Sequence, residues 1–98
     1  PLGSLVAIEG KVTLLRVEEL GSGYGPPTDF LDVEAIVWLD TAPGRAFGLQ
    51  LRKGAAEGDH TKMFDLLRDA FEANRPVRID YIRTGLRNGT ILRVADLP

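Results

Sequence analysis

Histidine, the side chain that most often exchanges protons in catalysis, occurs once in this 98-residue chain, and cysteine is absent. His60 has no partner at a spacing typical of a catalytic triad, and one histidine without cysteine cannot build a typical zinc site. The glycines at 21, 23 and 25 lack the lysine that follows in a phosphate-binding loop. We therefore expect a protein that is not an enzyme, with no cofactor and no metal.

Three carboxylates, Asp29, Asp32 and Glu34, lie close together in the sequence. Oxygen ligands of this kind can bind hard cations, but their spacing matches no cation-binding loop. We interpret them as a solvated acidic face.

Charge is unevenly distributed along the chain. The net charge is −2, and residues 1–44 are acidic whereas residues 45–98 are mildly basic. A domain that binds nucleic acid is normally basic as a whole. The arginines of the C-terminal half therefore fit a solvated strand face paired with acids better than a nucleic-acid contact.

The length is that of a single domain. Residues 1–4, Pro-Leu-Gly-Ser, resemble the remnant of a cleaved purification tag, so we assign the domain to residues 5–98. No apolar run approaches the roughly 20 residues of a membrane span. The absence of cysteine fits a reducing compartment, and we expect a cytoplasmic protein.

The N-terminal half predicts strands. Alternation of apolar residues over residues 6–18 predicts a first strand, and Leu14-Leu15 interrupts it, which indicates a bulge or bend; Gly10 could bend it as well. A loop rich in glycine and proline follows at residues 21–29. Strict alternation from Leu31 to Leu39 predicts a second strand. A third strand covers residues 46–52.

The connection of residues 40–44 fixes the register of these last two strands. It pairs Leu39 with Arg45, and it therefore sets Val37 opposite Phe47 and leaves Trp38 on the outer face. Ile36 shares that outer face with Trp38, so the two side chains would form a small exposed apolar patch. The alternative is that Trp38 packs over the small residues Ala46 and Gly48 opposite it, or under the helix or a terminus.

One helix and two strands complete the chain. Asp59 is the predicted helix cap, and an apolar stripe follows at Met63, Leu66, Leu67, Ala70 and Phe71. The helix is predicted to stop at Asn74-Arg75-Pro76. Strands at residues 77–83 and 90–97 follow, with a tight turn predicted at Asn88-Gly89. The pattern leaves the register of this pair open, and Leu86 belongs either to a longer hairpin or to a loop.

This element order resembles the oligonucleotide/oligosaccharide-binding (OB) fold. The resemblance covers residues 5–97 and rests on the order β-β-β-α-β-β, the bent first strand and the helix between strands three and four. It implies a mostly β domain, a five-stranded Greek-key barrel with one helix.

The OB resemblance also implies a ligand surface across strands two and three, between the first and last loops. That surface contains eight residues of this sequence, namely Tyr24, Ile36, Trp38, Gln50, Arg52, Arg83, Arg87 and Asn88.

The function that we expect is a binding module that recognises a protein partner or self-assembles through this surface. The Ile36/Trp38 patch and the acidic balance favour this hypothesis. One alternative is single-stranded nucleic-acid binding, with bases stacked on Tyr24 and Trp38 and phosphates held by arginines. Another is oligosaccharide binding on the same aromatic rings.

Overall fold

The computed structural model describes residues 5–19, 23–26, 29, 31–51 and 57–97. The predicted tag remnant, parts of the loop at residues 21–29, Arg52 and the start of the connector to the helix lie outside these ranges.

The structure confirms the predicted order of five strands and one helix, which are β1 Val6–Val17, β2 Ala35–Leu39, β3 Ala46–Leu49, α1 Glu57–Ala73, β4 Pro76–Arg83 and β5 Asn88–Asp96. The strands form a closed barrel in the order β1-β2-β3-β5-β4. The β3–β5 pair is parallel and the other pairs are antiparallel. This is the predicted fold class, an OB-like barrel with one helix.

The first strand is long and bent, as predicted. Its first half pairs with β4 and its second half pairs with β2, and the register shifts between Val12 and Leu14. The irregularity therefore lies at Thr13, just before the predicted Leu14-Leu15 step. Gly10 lies close to the β2–β3 loop, because a Cβ there would lie 2.5 Å from Thr41 Oγ1. The bend is thus a docking point for that loop.

The predicted register of β2 and β3 is confirmed, with Val37 opposite Phe47 and Ile36 opposite Gly48. The inner face packs into the barrel core, in which Val37 and Phe47 are fully buried.

The predicted exposed Ile36/Trp38 patch is wrong for Ile36, which is fully buried. The predicted second strand was too long: β2 begins only at Ala35, and the chain before it crosses the outer face of the sheet instead of extending it. Leu31 and Val33 therefore pack on Ile36 in a small outer core, whose buried members are Leu31, Val33, Ile36 and Ala46. Gly48 allows this approach, since a Cβ there would lie 2.7 Å from Val33 Cγ2.

Helix α1 packs against β1, β4 and β5 through the middle of its predicted stripe. Leu67 and Ala70 are buried, and Phe64 is packed on the barrel core, whereas Leu66 and Phe71 are exposed. The helix begins before the predicted cap, so Asp59 lies inside its first turn. In the part of the chain that the structure describes, no helix combines the length and the apolar character needed to cross a membrane.

The helix ends at Ala73, directly before the predicted stop at Asn74-Arg75-Pro76. Asn74 has a left-handed φ of 56°, and the amide of Arg75 donates to the carbonyl of Ala70. Strand β4 then starts directly at Pro76.

The predicted tight turn at Asn88-Gly89 is wrong, because both residues begin β5 and pair with β3. The turn is formed by residues 84–87, with Leu86 exposed in it. Glycine is needed at position 89 for packing: a Cβ there would lie 2.5 Å from Cδ2 of the buried Tyr81 ring.

This packing yields a stability prediction. Gly89→Ala should lower the free energy of unfolding by about 1–3 kcal/mol, because the Tyr81 ring is held edge-on against Phe47 and cannot move away freely. The matched control is Gly58→Ala in α1, where a Cβ meets nothing within 4 Å. It should be neutral or should stabilise by up to about 1 kcal/mol. Urea denaturation measures both, and equal stabilities of the two variants would contradict the prediction.

Candidate ligand-binding groove

Two adjoining concavities lie where the loops meet at one end of β2. The aromatic groove, of about 370 Å³, is lined by Thr13, Tyr24, Trp38, Leu39, Asp40, Ala42, Pro43, Gly44 and Arg45. The loop groove, of about 350 Å³, is lined by Tyr24, Gly25, Pro26, Asp29, Gly44, Leu86, Arg87 and Asn88. Tyr24 and Gly44 belong to both, so the two concavities adjoin along these residues.

Trp38 is the exposed aromatic side chain of the aromatic groove. It points outward from β2, as predicted, and is 40 % exposed. Its indole Nε1 donates to the Tyr24 hydroxyl at 3.3 Å. Trp38 is therefore oriented by a hydrogen bond while part of its surface remains accessible.

Tyr24 is held on several sides. Its backbone amide and carbonyl exchange two hydrogen bonds with Leu31, of 3.0 and 2.8 Å. The Arg16 guanidinium lies over its ring, 5.1 Å from the centroid, and pairs with Glu18 at 2.7 Å. One face of the Tyr24 ring is thus covered by a cation.

The aromatic side chains of Tyr24 and Trp38 form one wall of the aromatic groove. The β2–β3 loop, residues 40–45, forms a second wall of this groove. The Thr41 hydroxyl donates to the Glu9 carbonyl at 2.6 Å, and Asp40 Oδ1 accepts from the Lys11 amide at 2.8 Å. These bonds attach the loop to the bend of β1. Gly44 has a φ of 78°, a conformation that favours glycine.

Arg45 follows this turn and brings a positive charge to the aromatic groove. Its Nη1 donates to the hydroxyl of the buried Tyr81 at 3.2 Å. Arg45 is half-buried and its guanidinium is held by this hydrogen bond, so the side chain would lose little entropy when it meets a ligand.

The loop groove is lined by Asp29, which joins the β1–β2 loop to the β4–β5 loop. Its Oδ2 accepts from the Arg87 amide at 2.9 Å, and its carbonyl accepts from Asn88 Nδ2 at 2.6 Å. We call these two bonds the Asp29 latch. Asp29 is 7 % exposed, so its interpretation as part of a solvated acidic face is wrong. Asp32 is exposed and Glu34 is half-buried.

The second carboxylate oxygen of Asp29 is buried against Gly85. A Cβ on Gly85 would lie 1.8 Å from Oδ1, so the hydrogen in its place points at that oxygen. Oδ1 has no hydrogen-bond partner among the described residues, and this Cα–H contact is the weak substitute. The latch therefore requires glycine at position 85.

Of the predicted surface residues, the structure brings Tyr24, Trp38, Arg87 and Asn88 together around the two grooves. Arg83 is near them but turns back into its own loop, donating to the Leu86 carbonyl at 2.7 Å.

Two of the remaining predicted surface residues, Ile36 and Gln50, lie elsewhere. Ile36 is buried in the outer core. Gln50 follows β3, and its carbonyl contacts His60 Nδ1 near the start of α1. Arg52 lies outside the described residues.

The sequence analysis missed Arg45, Gly44 and Asp29 as groove residues. The signal for Arg45 was available, because the register places it directly after the loop and opposite Leu39. Nothing local marks Asp29, whose partners follow 58 and 59 residues later in the chain.

No protein-family model matches this sequence, and no curated protein is similar enough to count as a relative.

The Asp29 latch can be tested with Gly85→Ala. The added Cβ cannot coexist with Asp29 Oδ1, so the two loops should separate and the Arg87 amide should lose its acceptor. We expect hydrogen exchange of the Arg87 amide, followed by NMR, to accelerate by about tenfold or more, the equivalent of one lost buried hydrogen bond.

Gly58→Ala serves again as the control and should leave exchange at Arg87 unchanged. Equal exchange rates in Gly85→Ala and the wild type would show that the latch does not hold the loop.

Proposed function

We propose that this domain is a non-enzymatic binding module that holds an extended segment of a partner protein in the aromatic groove. We further infer that it is a member of the OB superfamily. The element order, the bent β1 and the helix between β3 and β4 support this membership.

The observation that carries the proposed function is Trp38, a partly exposed aromatic side chain at the wall of a concavity. Partly exposed tryptophans beside pockets are frequent anchors of protein interfaces, because they bury a large apolar area with few rotamers to freeze. The volume of about 370 Å³ lies at the small end of ligand sites. It suits one or two side chains of a chain segment better than a folded surface.

The walls of this groove are fixed before any ligand arrives. The β2–β3 loop is bonded to β1, and Tyr24 is bonded to both Leu31 and Trp38. A preformed groove favours binding because the loops need not be ordered on association.

Single-stranded nucleic acid is the second candidate, and the convergence of Tyr24, Trp38, Arg45 and Arg87 favours it. Two observations weigh against it. One Tyr24 face is covered by Arg16, so a base cannot stack there. The aromatic groove also contains Asp40, whose carboxylate would repel a phosphate chain that follows the groove.

The test is selection of a phage-displayed library of random linear peptides on the wild-type domain, followed by anisotropy titration of the enriched peptides. Trp38→Ala should weaken binding by about tenfold or more, as expected for loss of an aromatic anchor.

The matched control is Phe71→Ala. Phe71 is an aromatic side chain of similar exposure, 42 %, on α1 and away from both grooves. It should leave the affinity unchanged. Enriched peptides that bind Trp38→Ala as tightly as the wild type would contradict the proposal, as would a library without enrichment. Sedimentation velocity over a concentration series tests for self-assembly. If the domain assembles through this groove, Trp38→Ala should weaken that association as well.

A further inference from the structure

We propose that the segment held in the aromatic groove carries a carboxylate beside its apolar anchor, and that Arg87 selects it. This inference rests on the proposed function and names the chemistry of the partner: an extended acidic chain segment with an apolar residue next to an aspartate or glutamate.

The first argument is the position of Arg87 at the junction of the two grooves. Its backbone is fixed by the Asp29 latch. Its guanidinium reaches Gly44, one of the two residues common to both grooves, since a Cβ on Gly44 would lie 3.9 Å from Arg87 Nη1. A ligand that crosses from the aromatic groove into the loop groove beside Gly44 would therefore pass this guanidinium.

The second argument is a second cation, because Arg45 also lines the aromatic groove. Arg45 directly follows Gly44 and lines the aromatic groove, with its guanidinium bonded to the Tyr81 hydroxyl. Two cations that line adjoining grooves favour an anionic ligand, and guanidinium binds carboxylate through paired N–H donors.

The third argument is that the nearby carboxylates are engaged elsewhere. Asp29 accepts from the Arg87 amide and Asp40 accepts from the Lys11 amide. Among the described residues, no carboxylate lies within ion-pair distance of the guanidinium of Arg45 or Arg87. The protein thus leaves the charge at the junction available for a ligand.

A localised negative charge fits this arrangement better than a polyanion. Arg45 and Arg87 each line one of the two grooves, and so do the carboxylates of Asp40 and Asp29, which line the aromatic groove and the loop groove respectively. A peptide can place one carboxylate at the junction and an apolar side chain beside Trp38. A nucleic acid would carry a phosphate at every step, including those that pass the carboxylates.

Three displayed peptide libraries test the proposal. They share the same random apolar positions and differ only at the flanking positions, which are Asp/Glu, Asn/Gln or Lys/Arg. We expect enrichment from the acidic library. Synthetic acidic peptides should bind about three- to tenfold more tightly than their amide counterparts, with the difference shrinking at high salt.

Arg87→Gln should reduce the ratio of acidic to amide affinity toward one. The control Arg93→Gln removes the same charge from β5, where the side chain is 69 % exposed and lies 3.8 Å from Asp80. It should leave the ratio unchanged.

Other outcomes separate this inference from the proposed function. Acidic and amide peptides that bind equally well, with Trp38→Ala still weakening both, would overturn the carboxylate inference and leave the peptide groove intact. Binding that does not depend on Trp38 would overturn the proposed function itself. A deoxythymidine oligonucleotide of about 15 nucleotides that binds more tightly than the acidic peptides, and that loses affinity in Arg87→Gln, would overturn both in favour of single-stranded nucleic acid.

Discussion

The barrel depends on one long strand, β1, whose two halves pair with different neighbours. Residues 6–11 of β1 pair with β4 and residues 12–17 pair with β2, so β1 must bend between the two halves. The unpaired Thr13 allows the bend, and the approach of Thr41 to Gly10 stabilises it from outside. The same hydrogen bonds that hold the bend also hold the β2–β3 loop, which is a wall of the aromatic groove. Barrel closure and groove geometry therefore share one set of contacts.

Alternation of apolar and polar residues in the sequence predicted the features of the fold that depend on local periodicity. The register of Val37 against Phe47 followed from two alternating runs and a short connection, because a slip by one residue would have exposed the apolar set. The same alternation failed at Leu31 and Val33. Their parity matches that of Val37, but they pack on the opposite face of the sheet, in the outer core. Periodicity records which residues are apolar, and it does not record where the chain turns back.

Glycines show a similar limit. Asn88-Gly89 has the composition of a tight turn, yet Gly89 is needed inside a strand, because the Tyr81 ring occupies the space of a side chain. The true turn contains Gly85, which faces Asp29 across the gap between two loops. In both cases the need for glycine comes from a side chain on another strand or loop, so the local pattern could not distinguish the two roles.

The candidate groove was also predictable only in part, because some of its residues are positioned by contacts that leave no local pattern. Trp38 and Tyr24 were found because strand parity and the OB resemblance placed them on one surface. Asp29 was misinterpreted because a carboxylate in a polar sequence is usually solvated. Asp29 can be buried because the backbone amide of Arg87 donates to its carboxylate, and a backbone partner leaves no pattern in the sequence. Burying a carboxylate is costly unless hydrogen bonds compensate for the lost water, and here the compensation comes from the loop that carries Arg87. Asp29 thus fixes the β4–β5 loop through the backbone amide of Arg87, and the Arg87 side chain remains free to extend toward Gly44.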